Sequence, residues 1–180
     1  MAKISPMIAV PPLVLAGLAA VFWVGMHRSD PDRLPSMLTN KPAPAVELTQ
    51  LGDSKPFSDA DLRDGEVKAV NFWASWCQPC RQEAAMLDHL SAQGLTIYGA
   101  NYKDKPADAL GFLAEVGDPF AKIGADEKGQ MAINWGVYGV PETFVIDGKG
   151  KVLLRYPGPI TEDVLKTQIE PALKQAKADG

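Results

Sequence analysis

The chain of 180 residues has only two cysteines and two histidines, which limits the metal sites it can form. A structural zinc site needs four ligands, usually two cysteine pairs or a pair completed by histidines. Cys77 and Cys80 form a single pair, and no second pair exists. His27 follows the apolar N-terminal run, and His89 lies about 13 Å beyond Cys80 if the intervening residues are helical. We therefore predict no metal site.

Basic clusters are also missing. No run of five or more basic residues occurs, and the formal net charge is −4. Proteins that bind nucleic acids usually carry a basic patch, so we predict no nucleic-acid partner. The chain is 46% hydrophobic and 22% charged, which is typical of a globular protein, and its length suits one domain with a small additional segment.

Charged residues are absent from Ser5–Met26. About 20 apolar residues cross a bilayer as a helix, whereas a cleaved signal peptide has a shorter apolar core before its cleavage site. Gly17 and Ala19 resemble such a site, but the apolar run continues beyond them. We predict an uncleaved membrane anchor over residues 1–27, with cleavage as the alternative. The proline-containing residues 28–42 then predict a linker, and residues 43–178 a folded domain.

The hydrophobic pattern of the domain predicts alternating strands and helices. Parallel strands joined by helices and closed by an antiparallel hairpin make an α/β sandwich. The expected strands are Val46–Leu51, 67–74, 95–102, an edge strand at 120–126, and two hairpin strands around the Gly148–Gly150 turn. The expected helices start at Pro79 and end at Gly94, span 106–117, and begin at the caps Ser58 and Thr161.

The spacing of Cys77 and Cys80 favours redox chemistry over a structural disulfide. Closing a four-residue loop stabilises a fold by only about 2 kcal/mol on the chain-entropy estimate. Cys77 lies between a predicted strand and a helix, where unpaired N–H groups and the helix dipole favour the reactive thiolate. Cys80 lies on the same helical face and can attack a mixed disulfide at Cys77. We predict Cys77 as the exposed nucleophile and Cys80 as the more buried resolving thiol. Pro79 fits the first helical turn.

Two motifs resemble a known family. The segment N-F-W-A-S-W-C-Q-P-C, residues 71–80, resembles the active-site strand and turn of thioredoxin, and G-V-Y-G-V-P-E-T-F, residues 136–144, resembles the cis-proline loop of thioredoxin-like folds. With N-Y-K-D at 101–104, they are most similar to the membrane-anchored thioredoxins of cytochrome c maturation, the CcmG/DsbE family, over residues 40–175. The resemblance implies a thioredoxin-like three-layer α/β sandwich with a mixed central sheet, plus one N-terminal transmembrane helix.

The resemblance also implies a cis bond between Val140 and Pro141, although cis is a small minority of X-Pro bonds and the residues alone favour trans. A cis bond brings the backbone of Val140 beside Cys77, where an extended substrate can pair with it. The active-site environment then includes Asn71, Trp76, Gln78, Pro79 and Val140. Trp76 is expected to shield the cysteines or to serve as a structural aromatic. Asn101, Tyr102 and Asp104 are expected to contribute to partner contacts.

The position of a buried aspartate in thioredoxin is here occupied by Asn71, which does not titrate. Glu83, three residues after Cys80, and Glu142, directly after Pro141, are the candidate replacements, with solvent-exposed surface residues as the alternative. If both carboxylates point at the cysteines, their charge raises the thiol pKa values and makes the pair a better reductant. We predict that Glu83 and Glu142 tune the pair and relay a proton.

The predicted function is that of a periplasmic thiol:disulfide reductase, anchored in the bacterial inner membrane by a single pass. By resemblance, its substrate is apocytochrome c or a thiol partner of the maturation system, and its electrons come from a membrane thiol transporter. The Cys77–Cys80 disulfide is the redox centre, and no further cofactor is expected. The alternatives are a disulfide-donating oxidase and a copper-binding thioredoxin-fold chaperone. A peroxidase is disfavoured because S-W-C-Q-P-C lacks the threonine-containing peroxidatic motif.

Overall fold

The computed structural model describes residues 6–26 and 37–179. The chain divides into two compact units, residues 1–35 and 36–180. In the first unit the helix α1 spans Pro6–Met26. A search of the described residues finds no helix with the length and apolarity needed to cross a membrane. The anchor predicted over residues 1–27 stays a prediction, and residues 1–5 and 27 lie outside the described part of the chain.

The second unit is built on a six-stranded mixed sheet. Its strands are β1 (Thr49–Gln50), β2 (Lys68–Trp73), β3 (Thr96–Tyr102), β4 (Lys122–Asp126), β5 (Glu142–Ile146) and β6 (Val152–Pro157). Their order across the sheet is β1-β4-β3-β2-β5-β6. β2, β3 and β4 are parallel, whereas β1, β5 and β6 each run antiparallel to the neighbour they pair with. Every residue of β2 is buried, because this strand is central in the sheet and is covered on both faces.

Two predictions about the strands were wrong. The segment 120–126 was expected at the edge, but β4 is internal because β1 pairs with its outer side. The strand expected over Val46–Leu51 is reduced to the two residues of β1. The edge strand is supplied by β1, which is distant from β4 in the sequence. β1 is short because it pairs with β4 at only two residue pairs, and β4 is internal because β1 lies outside it.

The helices are α2 (Gln78–Ala92), α3 (Pro106–Val116), α4 (Gln130–Asn134), α5 (Glu162–Val164) and α6 (Glu170–Asp179), with a 3-10 turn at Asp61–Arg63 and a π-type segment at Leu165–Ile169 joining α5 to α6. The cap at Thr161 is confirmed, since its Oγ1 accepts from the Val164 N–H at 3.3 Å. The cap predicted at Ser58 is wrong, because Ala60 is the N-cap residue of the Asp61–Arg63 turn and the Ser58 N–H and hydroxyl donate to Asp61.

The sheet lies between two helical layers, which confirms the predicted α/β sandwich. On one face, Phe72 and Phe144 pack against Trp135, which follows α4, with ring centroids 5.6 and 5.1 Å apart. On the other face, Ala69 and Val145 pack against residues of α2 and α6. Side chains alternate between the faces of a strand, so Asn71 and Trp73 point toward the α2 layer.

The folded unit takes in the end of the predicted linker. The Asn40 N–H donates to the Val152 carbonyl at 2.7 Å, and the Val152 N–H donates to the Lys41 carbonyl at 2.9 Å. Ala43 bonds to Gly150 in the same way. Residues 40–43 therefore belong to the hydrogen-bonded framework at β6, while residues 28–36 lie outside the described part of the chain.

Candidate active site

Cys77 and Cys80 are joined as a disulfide, with their Cα atoms 5.3 Å apart. Cys77 is the N-cap residue of α2, and its sulfur accepts a hydrogen bond from the Cys80 N–H at 3.1 Å. Both residues are only 3% exposed, so the expected difference in exposure between the two cysteines is wrong for the disulfide form. Their difference lies in position, because only Cys77 sits where the helix N–H groups stabilise a thiolate.

A turn directly after the end of β2 leads to the cysteines. The Cys77 N–H bonds to the Ala74 carbonyl at 3.2 Å, which closes a tight turn between strand and helix. Pro79 lies in the first turn of α2, where its missing N–H leaves no helical bond unmade. Gln78 and Pro79 are exposed, so the outer surface of the redox pair is formed by the two residues between the cysteines.

Asp104 holds this turn, a role that the sequence analysis missed. Its carboxylate accepts hydrogen bonds from the Ser75 N–H at 2.6 Å, the Ser75 hydroxyl at 2.8 Å and the Asn101 side chain at 3.0 Å. Because Asn101 is 1% exposed, it supports Asp104 from inside and is not available to a partner. The N-Y-K-D motif was the available signal, but nothing local shows that it faces Ser75.

Trp76 precedes Cys77 and is largely exposed. Its side chain is 59% exposed, while its indole N–H donates to the Lys103 carbonyl at 3.2 Å. The ring lies against Tyr102, with centroids 6.4 Å apart. Trp76 is thus anchored at its polar edge and leaves a large apolar surface beside Cys77 open to solvent.

Glu83 lies behind the pair and is 1% exposed, so the alternative of a solvated helix residue is excluded. Its Oε1 accepts from the Asn71 side chain and its Oε2 from the Ile160 N–H, each at 3.0 Å. Burial raises the pKa of Glu83 to about 7, against the lowering effect of these two hydrogen bonds. Its carboxyl therefore exchanges a proton near neutral pH.

A small cavity lies between β2, α2 and α3. Cys80, Glu83, Asn71 and Trp73 all line it, and its volume is about 10 Å³. That volume is near the minimum that holds one water molecule. Cys80 and Glu83 thus both line this cavity.

The Val140–Pro141 bond is cis, as the resemblance implies. Val140 is half-buried and packs against the apolar cluster that contains Cys77 and Cys80. The Pro141 carbonyl accepts from the Gly158 N–H at 2.8 Å. The loop before β5 is therefore held against the disulfide on one side and against the end of β6 on the other.

Glu142 is fully buried, which excludes the exposed-residue alternative for it as well. Burial raises its pKa, although its bond and charge interaction with Arg155 oppose this. Arg155 donates through Nε to Glu142 Oε1, so the negative charge of Glu142 has a buried counter-charge. The sequence offered no signal for Arg155 beyond one cation within an otherwise apolar strand.

Within residues 6–26 and 37–179, no group of three or more His, Cys, Asp or Glu side chains is arranged to hold a metal ion.

Known proteins share this sequence and architecture. The Redoxin family matches residues 38–171. The thiol:disulfide interchange protein HelX of Rhodobacter capsulatus is 51% identical over 169 residues, covering 94% of this chain and 96% of that protein. The DsbE homolog of Paracoccus denitrificans is 45% identical and covers 99% of each chain.

The solved structure of a thiol:disulfide interchange protein DsbE from Chlorobium tepidum is also similar. It has a TM-score of 0.67 and 34% sequence identity, covering 77% of this chain and 96% of that one. The predicted thioredoxin-like fold with a mixed sheet is confirmed. The chain therefore belongs to the DsbE/HelX family of thiol:disulfide interchange proteins and is a thiol–disulfide oxidoreductase.

Proposed function

We propose that the chain works as a reductant, and that Glu83 is the group that handles the proton of Cys80. The observation that carries this proposal is the buried carboxyl of Glu83, which shares a cavity with Cys80 and has a pKa raised to about 7. A carboxylate at this place disfavours the thiolate, and a less stabilised thiolate makes the dithiol a stronger reductant.

The reaction starts from the reduced pair. The Cys77 thiolate attacks one sulfur of a substrate disulfide, forms a mixed disulfide and releases one substrate thiolate. Cys80 then loses its proton to Glu83 and attacks Cys77, which releases the second substrate thiolate and forms the Cys77–Cys80 disulfide. Two electrons pass to the substrate, whose thiolates take up protons from solvent. In this proposal a water in the cavity that both residues line carries the proton from Cys80 to Glu83.

Glu142 has a smaller part in this proposal than Glu83. Its charge is opposed by Arg155, whereas Glu83 accepts hydrogen bonds from the neutral donors Asn71 and Ile160. Titration of the thiols in Glu83→Gln and Glu142→Gln variants tests this. We expect the Cys80 titration to shift more in Glu83→Gln, and unchanged thiol titrations in both variants would remove the carboxylates from the mechanism.

The proposed substrate is the oxidised Cys-x-x-Cys-His segment of apocytochrome c, or a thiol partner that carries it. Electrons would reach the oxidised pair from a membrane thiol transporter. The support is the similarity of the motifs at 71–80 and 136–144 to the cytochrome c maturation thioredoxins, together with the exposed apolar surface of Trp76 beside Cys77.

A trapping experiment tests the substrate. In the Cys80→Ser variant, a mixed disulfide at Cys77 is not resolved, so an oxidised Cys-x-x-Cys-His peptide should accumulate on the protein. The Cys77→Ser variant is the matched control and should trap little. If Cys80→Ser reacts no faster with this peptide than with a scrambled disulfide peptide, the apocytochrome assignment is wrong.

The reduction potential separates the reductant from the oxidase. We expect equilibration with glutathione to give a value more negative than about −200 mV, whereas a strong oxidant has a value near about −120 mV. A result near the second value would assign the chain to disulfide donation instead.

We also propose that the N-terminal segment tethers the domain to the inner membrane, with the domain in the periplasm. The charge-free run Ser5–Met26 supports this. The expected result is full-length protein in the membrane pellet after alkaline extraction, with protease access from the periplasmic side. Recovery of soluble protein whose mass lacks the first residues would show that the segment is cleaved.

A further inference from the structure

Arg155 is a buried cation that the exchange chemistry does not use. Its side chain is 8% exposed and forms an ion pair with the fully buried Glu142. In the β5–β6 ladder, Arg155 faces Phe144 and Glu142 faces Pro157, so the two charged residues are diagonal neighbours across adjacent strands. Buried ion pairs are costly to desolvate, so a gain in stability alone does not explain this one.

The second contact of Arg155 is an aromatic ring at the surface. Its guanidinium carbon lies 4.7 Å from the centroid of the Tyr138 ring, within the range of a cation–π interaction. Tyr138 is 58% exposed. One guanidinium therefore joins a buried carboxylate to a ring whose other surface is open to solvent.

Both partners of Arg155 flank the cis-proline loop. Tyr138 lies three residues before Pro141, and Glu142 directly follows it. Between them, Val140 packs against the apolar cluster around the disulfide. The Gly158 N–H, just beyond β6, donates to the Pro141 carbonyl at 2.8 Å. The loop is thus supported by the Arg155 side chain of β6 and by the backbone of Gly158, which follows β6.

We propose that Arg155 is a positioning residue that fixes the Tyr138 ring as one wall of the docking surface for polypeptide disulfides. A polypeptide that extends along the loop at Val140 passes Tyr138, while a small disulfide reacts at Cys77 without reaching it. Arg155 acts through Tyr138, and Glu142 serves as the buried anchor of the guanidinium. This role concerns substrate docking and needs only the thiol–disulfide exchange activity.

The test compares two substrates of one reduced protein. The first is a disulfide-bridged peptide of about 12 residues, and the second is hydroxyethyl disulfide. In Arg155→Met and Arg155→Lys we expect KM for the peptide to rise about fivefold, the scale of one cation–π contact. In Arg155→Lys, where Glu142 keeps a counter-charge, kcat and the rate on hydroxyethyl disulfide should stay within about twofold of wild type. Lysine keeps the charge but lacks the planar guanidinium that lies against the ring.

A double-mutant cycle tests whether Arg155 acts through Tyr138. Tyr138→Ala should raise the peptide KM, Tyr138→Phe should leave it unchanged, and Arg155→Met should add nothing once Tyr138 is alanine. Additive effects of Arg155→Met and Tyr138→Ala would overturn the proposal. Equal losses on the peptide and on hydroxyethyl disulfide would also overturn it.

Arg155→Met leaves Glu142 buried without its counter-charge, so this variant is paired with a second one. Glu142→Gln/Arg155→Met removes both charges together and avoids the unpaired carboxylate. We expect the double variant to fold and still to show the raised peptide KM. A double variant with wild-type KM for the peptide would show that the pair supports folding only, and would contradict docking through Tyr138.

Discussion

Asn71 occupies the position at which thioredoxin has a buried aspartate on the central strand. In this chain the buried titrating carboxyl nearby is Glu83, on α2. Asn71 does not ionise, but its side chain donates to Glu83 Oε1 at 3.0 Å and to the Thr143 hydroxyl at 3.0 Å. Glu83 reaches the same space from α2, where it lines a cavity with Cys80. At the scale of single residues, the titrating carboxyl therefore lies on α2 and lines the same cavity as Cys80.

The raised pKa of Glu83 predicts a pH-dependent stability. Between its ordinary value of 4.5 and about 7, the unfolded chain releases this proton while the folded chain keeps it. The free energy of unfolding should therefore fall by about 3 kcal/mol as the pH rises through this window and change little from this group above it. Urea unfolding of oxidised wild type and Glu83→Gln from pH 4 to 8 measures the difference. A constant difference between the two proteins across that range would contradict the assignment.

Asp104 predicts an effect on the active-site turn. Asp104→Ala removes the acceptor for both donors of Ser75, and we expect it to lower the free energy of unfolding by about 2 kcal/mol. The rate of attack by Cys77 on a small disulfide should also fall, because the turn that presents Cys77 loses its support. Glu127→Ala, at an exposed carboxylate, is the matched control. Wild-type kinetics in Asp104→Ala would show that the turn holds without Asp104.

At the scale of elements, β3 lies so close to the indole of Trp73 that position 99 has no room for a side chain. A Cβ on Gly99 would lie 2.7 Å from Ile123 Cγ2 and 2.9 Å from Trp73 Nε1. Trp73 in turn stacks on Phe112 of α3, with centroids 5.3 Å apart. Gly99 therefore lets the sheet carry a large ring between β2 and α3, next to Cys80.

Two glycine substitutions should have opposite signs. Gly99→Ala overpacks the interface below Trp73 and should destabilise the domain by about 1–3 kcal/mol. Gly111→Ala lies in α3, where a Cβ meets nothing within 4 Å, and should stabilise by about 1 kcal/mol because alanine is the better helix former. Thermal or urea unfolding of both variants checks this. A neutral or stabilising Gly99→Ala would mean that Trp73 can move aside at no cost.

At the scale of the whole molecule, the chain consists of two compact units that divide after Pro35. The six strands, the disulfide and the carboxylates Glu83 and Glu142 all belong to the second unit. Near its start, Asn40 and Lys41 form backbone hydrogen bonds with Val152 of β6. The second unit therefore contains both the core and the redox site.

A fragment of residues 36–180 should fold by itself and retain thiol–disulfide exchange. We expect its unfolding midpoint to lie within a few degrees of that of the full chain, because the second unit holds its own core. A fragment that begins at residue 44 is the comparison, and it should be less stable because it lacks the bonds of residues 40–43 to β6 and Gly150. Equal stability of the two fragments would show that those bonds contribute nothing.

The local pattern of the sequence was sufficient for the elements near Cys77. The apolar run before it predicts β2, and Pro79 in the first turn and Gly94 after the last predict the extent of α2, because apolar patterning, proline geometry and the positive φ of glycine are local properties. The redox use of Cys77 and Cys80 also follows from their spacing, since a loop this short gives little structural stabilisation.

Tertiary packing decided the rest, because it depends on segments far apart in the chain. Only the folded chain places Asp104 on Ser75, Ile160 on Glu83 and Arg155 on Glu142, across separations of 29, 77 and 13 residues. The equal burial of the two cysteines and the internal place of β4 have the same origin. The sequence by itself determined which residues carry the sulfur chemistry and which local elements hold them. Three-dimensional contacts decided which carboxyl is buried beside Cys80 and which is paired with a cation, because burial and pairing set the charge of a carboxyl and neither is a local property.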